Sequence, residues 1–116
     1  MLNLLFVYGT LRRGFDNEHA RLLRAAAEFA GETEAPGRIY RIGWYPGFVF
    51  ASDGLVRGEL YRLRDPQRTL ATLDEYEGDE FERVETEAQG ASAWIYRIRR
   101  VPEGAEAIAS GDFCSK

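Results

Sequence analysis

Residues 33–63 read TEAPGRIYRIGWYPGFVFASDGLVRGELYRL, and this stretch decides the fold class. Its side chains alternate with period two, Tyr40, Ile42 and Trp44 on one side and Ile39 and Arg41 on the other, which is the spacing of strands rather than of a helix. Pro36-Gly37, Pro46-Gly47 and Ser52-Asp53-Gly54 punctuate it at intervals of about 8 to 10 residues, as in an antiparallel meander. Strands are predicted near 35–43, 47–50 and 55–63. Upstream, Leu2 to Val7 is an apolar run that stops at Tyr8-Gly9-Thr10, read as a buried first strand and a sharp turn. Asp16 or Asn17 can cap a helix over 18–29, with His19, Leu22, Leu23 and Ala26 on one face and Gly31 as its stop.

Downstream, Asp65-Pro66 opens a second helix, Asp as cap and Pro at the first helical position, and Gly78 closes it. Two more strands are predicted near 81–87 and 92–99, and the tail from Val101 reads as mostly irregular. The sum is an α+β domain spanning 1–116: a small mixed or antiparallel β-barrel, closed or nearly so, with flanking helices. Curling is favoured because an open sheet of so many short strands leaves long edges exposed.

Composition narrows the chemistry. Fifteen basic against 19 acidic residues give a net charge of −4, which disfavours a general phosphate-binding surface, so no nucleic-acid partner is expected. Lys116 is the sole lysine, so a Schiff-base lysine is excluded in practice, and the other 14 basic residues are arginine. With Cys114 and His19 each alone in the sequence, neither an intrachain disulfide nor a cysteine or multi-histidine metal site can form, and no metal or cofactor is expected. No apolar run approaches the ~18 residues of a spanning helix, so no membrane partner is expected and the default location is cytoplasmic.

Glu77 is the most informative acidic position. On a helical wheel it lies about 20° from Leu70 and about 40° from Leu73, in the apolar face. An inward carboxylate needs a partner or a function. Burial and the negative end of the helix dipole both raise its pKa, toward a base working near neutral pH; the plainer reading is a frayed end with Glu77 paired to an arginine at the rim. The turn Tyr8-Gly9-Thr10-Leu11 either serves only the turn or offers successive backbone N–H groups as an anion cradle. Tyr96 shares a strand face with Trp94 and Ile98 and reads as core or pocket; Arg83 either lays its stem on Phe81 or anchors a carboxylate. His19 reads as a core or rim residue, Arg97, Arg99 and Arg100 as a solvated face, and Cys114 as no nucleophile.

Taken in order, Phe6-Val-Tyr-Gly-Thr-Leu-Arg-Arg-Gly14, Tyr45-Pro-Gly47, Val56-Arg-Gly-Glu-Leu-Tyr61, Leu73-Asp-Glu-Tyr-Glu-Gly78, Phe81-Glu-Arg83, Ala93-Trp-Ile-Tyr96 and Ser110-Gly-Asp112 resemble the gamma-glutamylcyclotransferase-like superfamily, in the branch related to gamma-glutamylamine cyclotransferase. The resemblance runs from about residue 4 to 113. It implies a small β-barrel with a cavity at one end, Tyr8, Gly9, Thr10 and Leu11 cradling the gamma-glutamyl part of a substrate, and Glu77 as the acid/base. Glu75 and Glu80 do not match the family's glutamate. Tyr96 moves toward a pocket role, and Arg83 joins the substrate-binding set. The implied reaction converts a small gamma-glutamyl amine or amino acid into 5-oxoproline and a free amine without a cofactor. A non-catalytic domain that keeps the cavity for binding is the alternative, and RNA binding through Arg97, Arg99 and Arg100 is the weakest reading at this net charge.

Overall fold

In a computed structural model the chain is described over residues 2–114; the sole lysine, Lys116, lies outside them. The apolar run forms β1 (Leu4–Val7), followed by the turn at residues 8–14 and α1 (Glu18–Ala26). Strands β2 (Ala27–Pro36), β3 (Arg38–Ile42), β4 (Tyr45–Val49) and β5 (Leu55–Leu63) come next, then α2 (Pro66–Glu77) and one turn of 3-10 helix (Gly78–Glu80). Strands β6 (Phe81–Ala88), β7 (Ala91–Ile98) and the short β8 (Glu106–Ala107) complete it.

Five strands join in the order β2-β5-β1-β7-β6, with β1 parallel to β7 and the other pairs antiparallel; β4-β3-β8 form a second sheet. The fold is α+β, with two helices and a curled mixed sheet. No ladder closes the five strands into a ring among the described residues. Their curl nevertheless brings the two edges together, where the Thr33 hydroxyl lies 2.9 Å from Gln89 Oε1.

The apolar run of β1 is continuous because both faces of its sheet are buried. Leu5 and Val7 face α1 and α2, packing with Leu23, Tyr61, Leu70, Leu73 and Ile98. Phe6 points the other way with Tyr8, Ile39, Phe48, Val56, Leu60 and Ile95, into the space between the two sheets. The period-two pattern of β5 serves the same division, Leu60 in one core and Tyr61 in the other.

Three expectations change. The first helix ends at Ala26 rather than 29, and a ten-residue strand begins at once. Ala27 and Phe29 have the local propensity to continue the helix, but the ladder to Leu63 and Tyr61 of β5 takes their backbone groups. Gly31 therefore stops no helix; it follows a register shift inside β2. Pro46-Gly47 is not a turn either. It lies within β4, an edge strand where the missing N–H of proline is tolerated, and the chain reverses at Gly43-Trp44 instead. On β3 the buried side chain is Ile39, while Trp44 is left exposed in that turn.

Both helix starts follow the sequence. Asn17 caps α1 by accepting from Ala20 N at 2.8 Å, and Asp65 caps α2 by accepting from Arg68 N at 3.3 Å, with Pro66 next in line. No helix among the described residues is long and apolar enough to cross a membrane.

Candidate functional site

The site begins at the C-terminal end of α2. Leu70 and Leu73 are fully buried against the sheet, each contributing about 1.5–3 kcal/mol to holding the helix in place. That orientation carries Glu77, one turn further on, toward the end of β1. Gly78 then takes φ +69°, its N–H bonding Asp74 O, which ends the helix and keeps Glu77 as its last residue.

The turn after β1 meets Glu77 across a cavity of about 180 Å³, lined from the turn by Tyr8, Gly9, Thr10 and Leu11, and from the facing elements by Tyr76, Glu77, Glu80, Phe81 and Tyr96. Phe6 and Val7 of β1, with Trp44, Tyr45 and Pro46, complete its lining. Glu77 and the turn, which the sequence reading placed far apart in the chain, thus share one space. The Glu77 carboxyl is half-buried and, among the described residues, accepts no side-chain hydrogen bond. Its burial, and secondarily the charge of Glu80, push its pKa up to about 7. The rim arginine of the plainer reading is absent from the lining.

The turn is shaped by close packing. Arg12 N bonds Gly9 O at 3.1 Å, and Asn17, the α1 cap, donates from Nδ2 to Thr10 O at 2.9 Å. A Cβ at Gly9 would lie 2.7 Å from Pro46 Cγ, so glycine is required there by the approach of β4. The N–H groups of Thr10 and Leu11 donate to no protein acceptor among the described residues. Leu11 lines the cavity while its side chain also packs in the helix-side core. Gly9→Ala is expected to lower stability by about 1–3 kcal/mol and to raise KM, read by thermal unfolding and steady-state kinetics; an unchanged melting temperature would show that the turn yields freely.

Tyr8 spends its hydroxyl on the fold. It donates to Tyr96 O at 2.6 Å and accepts from Phe48 N at 3.2 Å, tying β7 to β4 beneath the cavity. Burial, then the nearby Glu77 charge, raise its pKa well above the usual value. Tyr96 does reach the cavity, and its hydroxyl donates to Asp74 Oδ1 at 2.7 Å. Burial and the Asp74 bond keep this phenol protonated.

Arg83 is placed differently from the substrate-binding expectation. Its Nε and Nη2 grip the two oxygens of Asp74 at 2.8 and 3.1 Å, its guanidinium lies 4.3 Å from the Trp94 ring centroid, and it is not among the lining residues. The side chain is committed because a bidentate carboxylate on the neighbouring helix satisfies it better than an open cavity. Partial burial opposes ionisation of Asp74, but the Arg83 and Tyr96 hydrogen bonds outweigh it and hold the carboxyl below its usual range.

Asp74 was missed by the sequence reading, although it precedes Glu77 by three residues and so lies near it on the helix surface. Tyr76, Tyr45, Trp44 and Glu80 were missed as well. His19 is a rim residue, stacked on Tyr76 with ring centroids 3.7 Å apart. Arg97 pairs with Glu82 at 2.6 Å and Arg99 with the same carboxylate at 3.6 Å, a partly solvated cluster. Cys114 is exposed, and the described residues hold no group of three or more metal-ligating side chains.

A small α+β domain with a cavity lined both by a half-buried carboxylate and by a turn whose Thr10 and Leu11 N–H groups have no protein acceptor among the described residues has the form of a compact site for a small molecule. The profile of the family described as gamma-glutamyl cyclotransferase, AIG2-like, matches residues 5–115. The chain is 35% identical over 115 residues to the gamma-glutamylcyclotransferase family protein YtfP of Escherichia coli, covering 97% of this chain and 96% of the relative. The solution NMR structure of ytfP from Escherichia coli superposes with a TM-score of 0.75 over 97% of this chain and 96% of that one. The gamma-L-glutamyl-butirosin B gamma-glutamyl cyclotransferase of Niallia circulans is 34% identical over 112 residues, covering 83% of this chain and 67% of that protein. The chain belongs to the gamma-glutamyl cyclotransferase, AIG2-like family.

Proposed function

We propose that this protein converts a small gamma-glutamyl amine or amino acid into 5-oxoproline and the free amine, with Glu77 as the general acid/base. The observation that carries the reading is the carboxylate with a pKa near 7 sharing a cavity with the unpartnered N–H groups of the residue 8–11 turn. Family membership supports the same reaction class.

The substrate's α-amino nitrogen attacks its own γ-carbonyl carbon, forming the ring C–N bond. The C–N bond to the leaving amine then breaks. Both groups belong to one molecule, so the site's task is to hold the folded-back conformer, which removes most of the entropic cost of attack. The α-ammonium loses two protons in becoming the lactam N–H: Glu77 accepts the first, which frees the nitrogen to attack, and the second is shed once the ring C–N bond has formed; one of the two is returned by Glu77 to the departing nitrogen and the other passes to solvent or to the released amine. The Thr10 and Leu11 N–H groups offset negative charge on the γ-carbonyl oxygen or hold the α-carboxylate. Asp74, locked by Arg83, orients the Tyr96 hydroxyl on the cavity wall, which makes Arg83 a positioning residue.

The test is a panel of gamma-glutamyl compounds assayed for 5-oxoproline, with calorimetry and mass analysis of any ligand that binds. Release of 5-oxoproline is expected; binding with the ligand recovered intact throughout would instead establish a binding domain. The pH profile is a second expected result. Because Glu77 must be ionised to act as base, kcat/KM should rise with pH through a limb near 7. A profile flat between pH 5 and 8 would remove this carboxyl from the rate-limiting proton transfer.

A further inference from the structure

We propose that the mouth of this cavity selects a leaving amine that carries a second positive charge, read by Glu80 and the exposed ring of Trp44. The inference rests on the cyclotransferase reading above and narrows its substrate class from any gamma-glutamyl amine or amino acid to conjugates of a cationic amine.

Fourteen residues line the cavity and none is basic, whereas two are carboxylates. Glu77 is engaged with the α-amino proton in the proposed reaction. Glu80 therefore remains as a carboxylate with no ion-pair partner among the described residues, on the lining beside the space proposed for the leaving group. It is exposed, and the Tyr45 hydroxyl donates to its Oε1, which fixes the carboxylate at the mouth. Next to that pair stands Trp44, 69% exposed although it lines the cavity. It meets Tyr45 edge to face, ring centroids 5.2 Å apart and planes at 77°. Apart from that contact with Tyr45, most of the indole on this two-residue reversal faces solvent. An aromatic face beside an oriented carboxylate is the composition that attracts an ammonium group.

The opposite charge has no place there. A leaving group bearing a carboxylate, as an α-amino acid does, would meet Glu80 with no compensating guanidinium in the lining. Arg83 is committed to Asp74, Arg97 and Arg99 to Glu82, and on β3, beside the cavity's β4 wall, Arg38 pairs with Asp53 while the Arg41 guanidinium lies 5.3 Å from the Phe113 ring centroid. The mouth thus combines attraction for one class with repulsion of another, which is how discrimination is built where no deep pocket exists.

Three gamma-glutamyl conjugates of equal length test this, made from four-carbon amines that end in an ammonium, a methyl or a carboxylate group. The readout is kcat/KM for 5-oxoproline release by the intact protein at low salt. The ammonium conjugate is expected to exceed the methyl one by roughly tenfold, the size of one exposed ion pair with one cation–π contact, and the carboxylate conjugate to fall below both. In Glu80→Gln the ammonium-to-methyl ratio should drop toward one, and Trp44→Ala should lower it in part; a ratio is read because Glu80 also influences Glu77. Equal turnover of the three conjugates, or a ratio that Glu80→Gln leaves intact, overturns the charge selection while sparing the cyclotransferase reading. Turnover of none of them by folded protein overturns both.

Discussion

Glu77→Gln is expected to lower 5-oxoproline release by about 10² to 10⁴-fold, the range for loss of a positioned acid/base, and at the same time to make the protein more stable at pH 8. The two effects share a cause. Burial and the nearby Glu80 hold the Glu77 carboxyl near pKa 7 against an ordinary 4.5, so ionisation costs more in the folded chain than in the unfolded one. Below pH 4.5 the carboxyl is protonated in both states and carries no penalty. Between pH 4.5 and 7 the unfolded chain ionises it while the folded chain keeps it protonated, so stability falls; once pH has passed 7 the loss is complete. Discounted for the partly exposed position of the group, the penalty is about 2 kcal/mol. A glutamine never ionises, so the melting temperature of the variant should exceed that of the wild type at pH 8 and approach it at pH 4.5. Equal 5-oxoproline release by both proteins would take Glu77 out of the mechanism, and a variant less stable at pH 8 would contradict the burial cost.

The second large effect concerns a buried charge cluster behind the cavity turn. Arg12 is 6% exposed and Glu59 4%. Arg12 Nη1 bonds Asp112 at 2.7 Å, and its Nε lies 3.8 Å from Glu59 Oε2, without a hydrogen-bond partner of its own. Glu59 Oε1 accepts from Arg13 N at 2.9 Å. The turn that ends in Arg12 is thereby tied both to β5 and to the tail. Arg12→Ala takes from the partly buried Asp112 its hydrogen-bonded countercharge and leaves the buried Glu59 with only the half-exposed Arg13, 3.6 Å away, so a loss of about 3–5 kcal/mol is expected, measured by denaturant unfolding. The double variant Arg12→Met/Glu59→Leu should lose less than the sum of the two single changes, because it removes the stranded charge as well as the pair. Strict additivity would show that Arg12 and Glu59 act independently.

The legible parts of the fold were those whose signal lies within one segment. The caps at Asn17 and Asp65, the apolar run of β1 and the inward position of Glu77 between Leu70 and Gly78 all follow from spacing and local chemistry. β2 was not legible, since Ala27-Glu-Phe-Ala suits a helix as well as a strand and only pairing with β5 decides between them. Pro46-Gly47 has the local form of a turn but occupies an edge strand, where the cost of proline is small.

The same division runs through the site. Residue order alone determined that one carboxylate at a helix end and one glycine-bearing turn after a strand were available, in a chain with a single histidine, a single cysteine and no lysine before position 116. It also determined that Glu77 would point inward, because helical periodicity places it on the face that Leu70 and Leu73 bury. Tertiary structure decided what surrounds that carboxylate. It set Glu77 and the turn on opposite walls of one cavity, moved Arg83 off the cavity onto Asp74, and brought Trp44, Tyr45 and Glu80 to the mouth. These pairings join segments separated by 9 to 100 residues, as in Arg83 with Asp74 and Arg12 with Asp112. Each arginine had several carboxylates within reach of its chemistry, and the curl of the sheet chose among them by bringing one into hydrogen-bonding geometry while keeping the others apart.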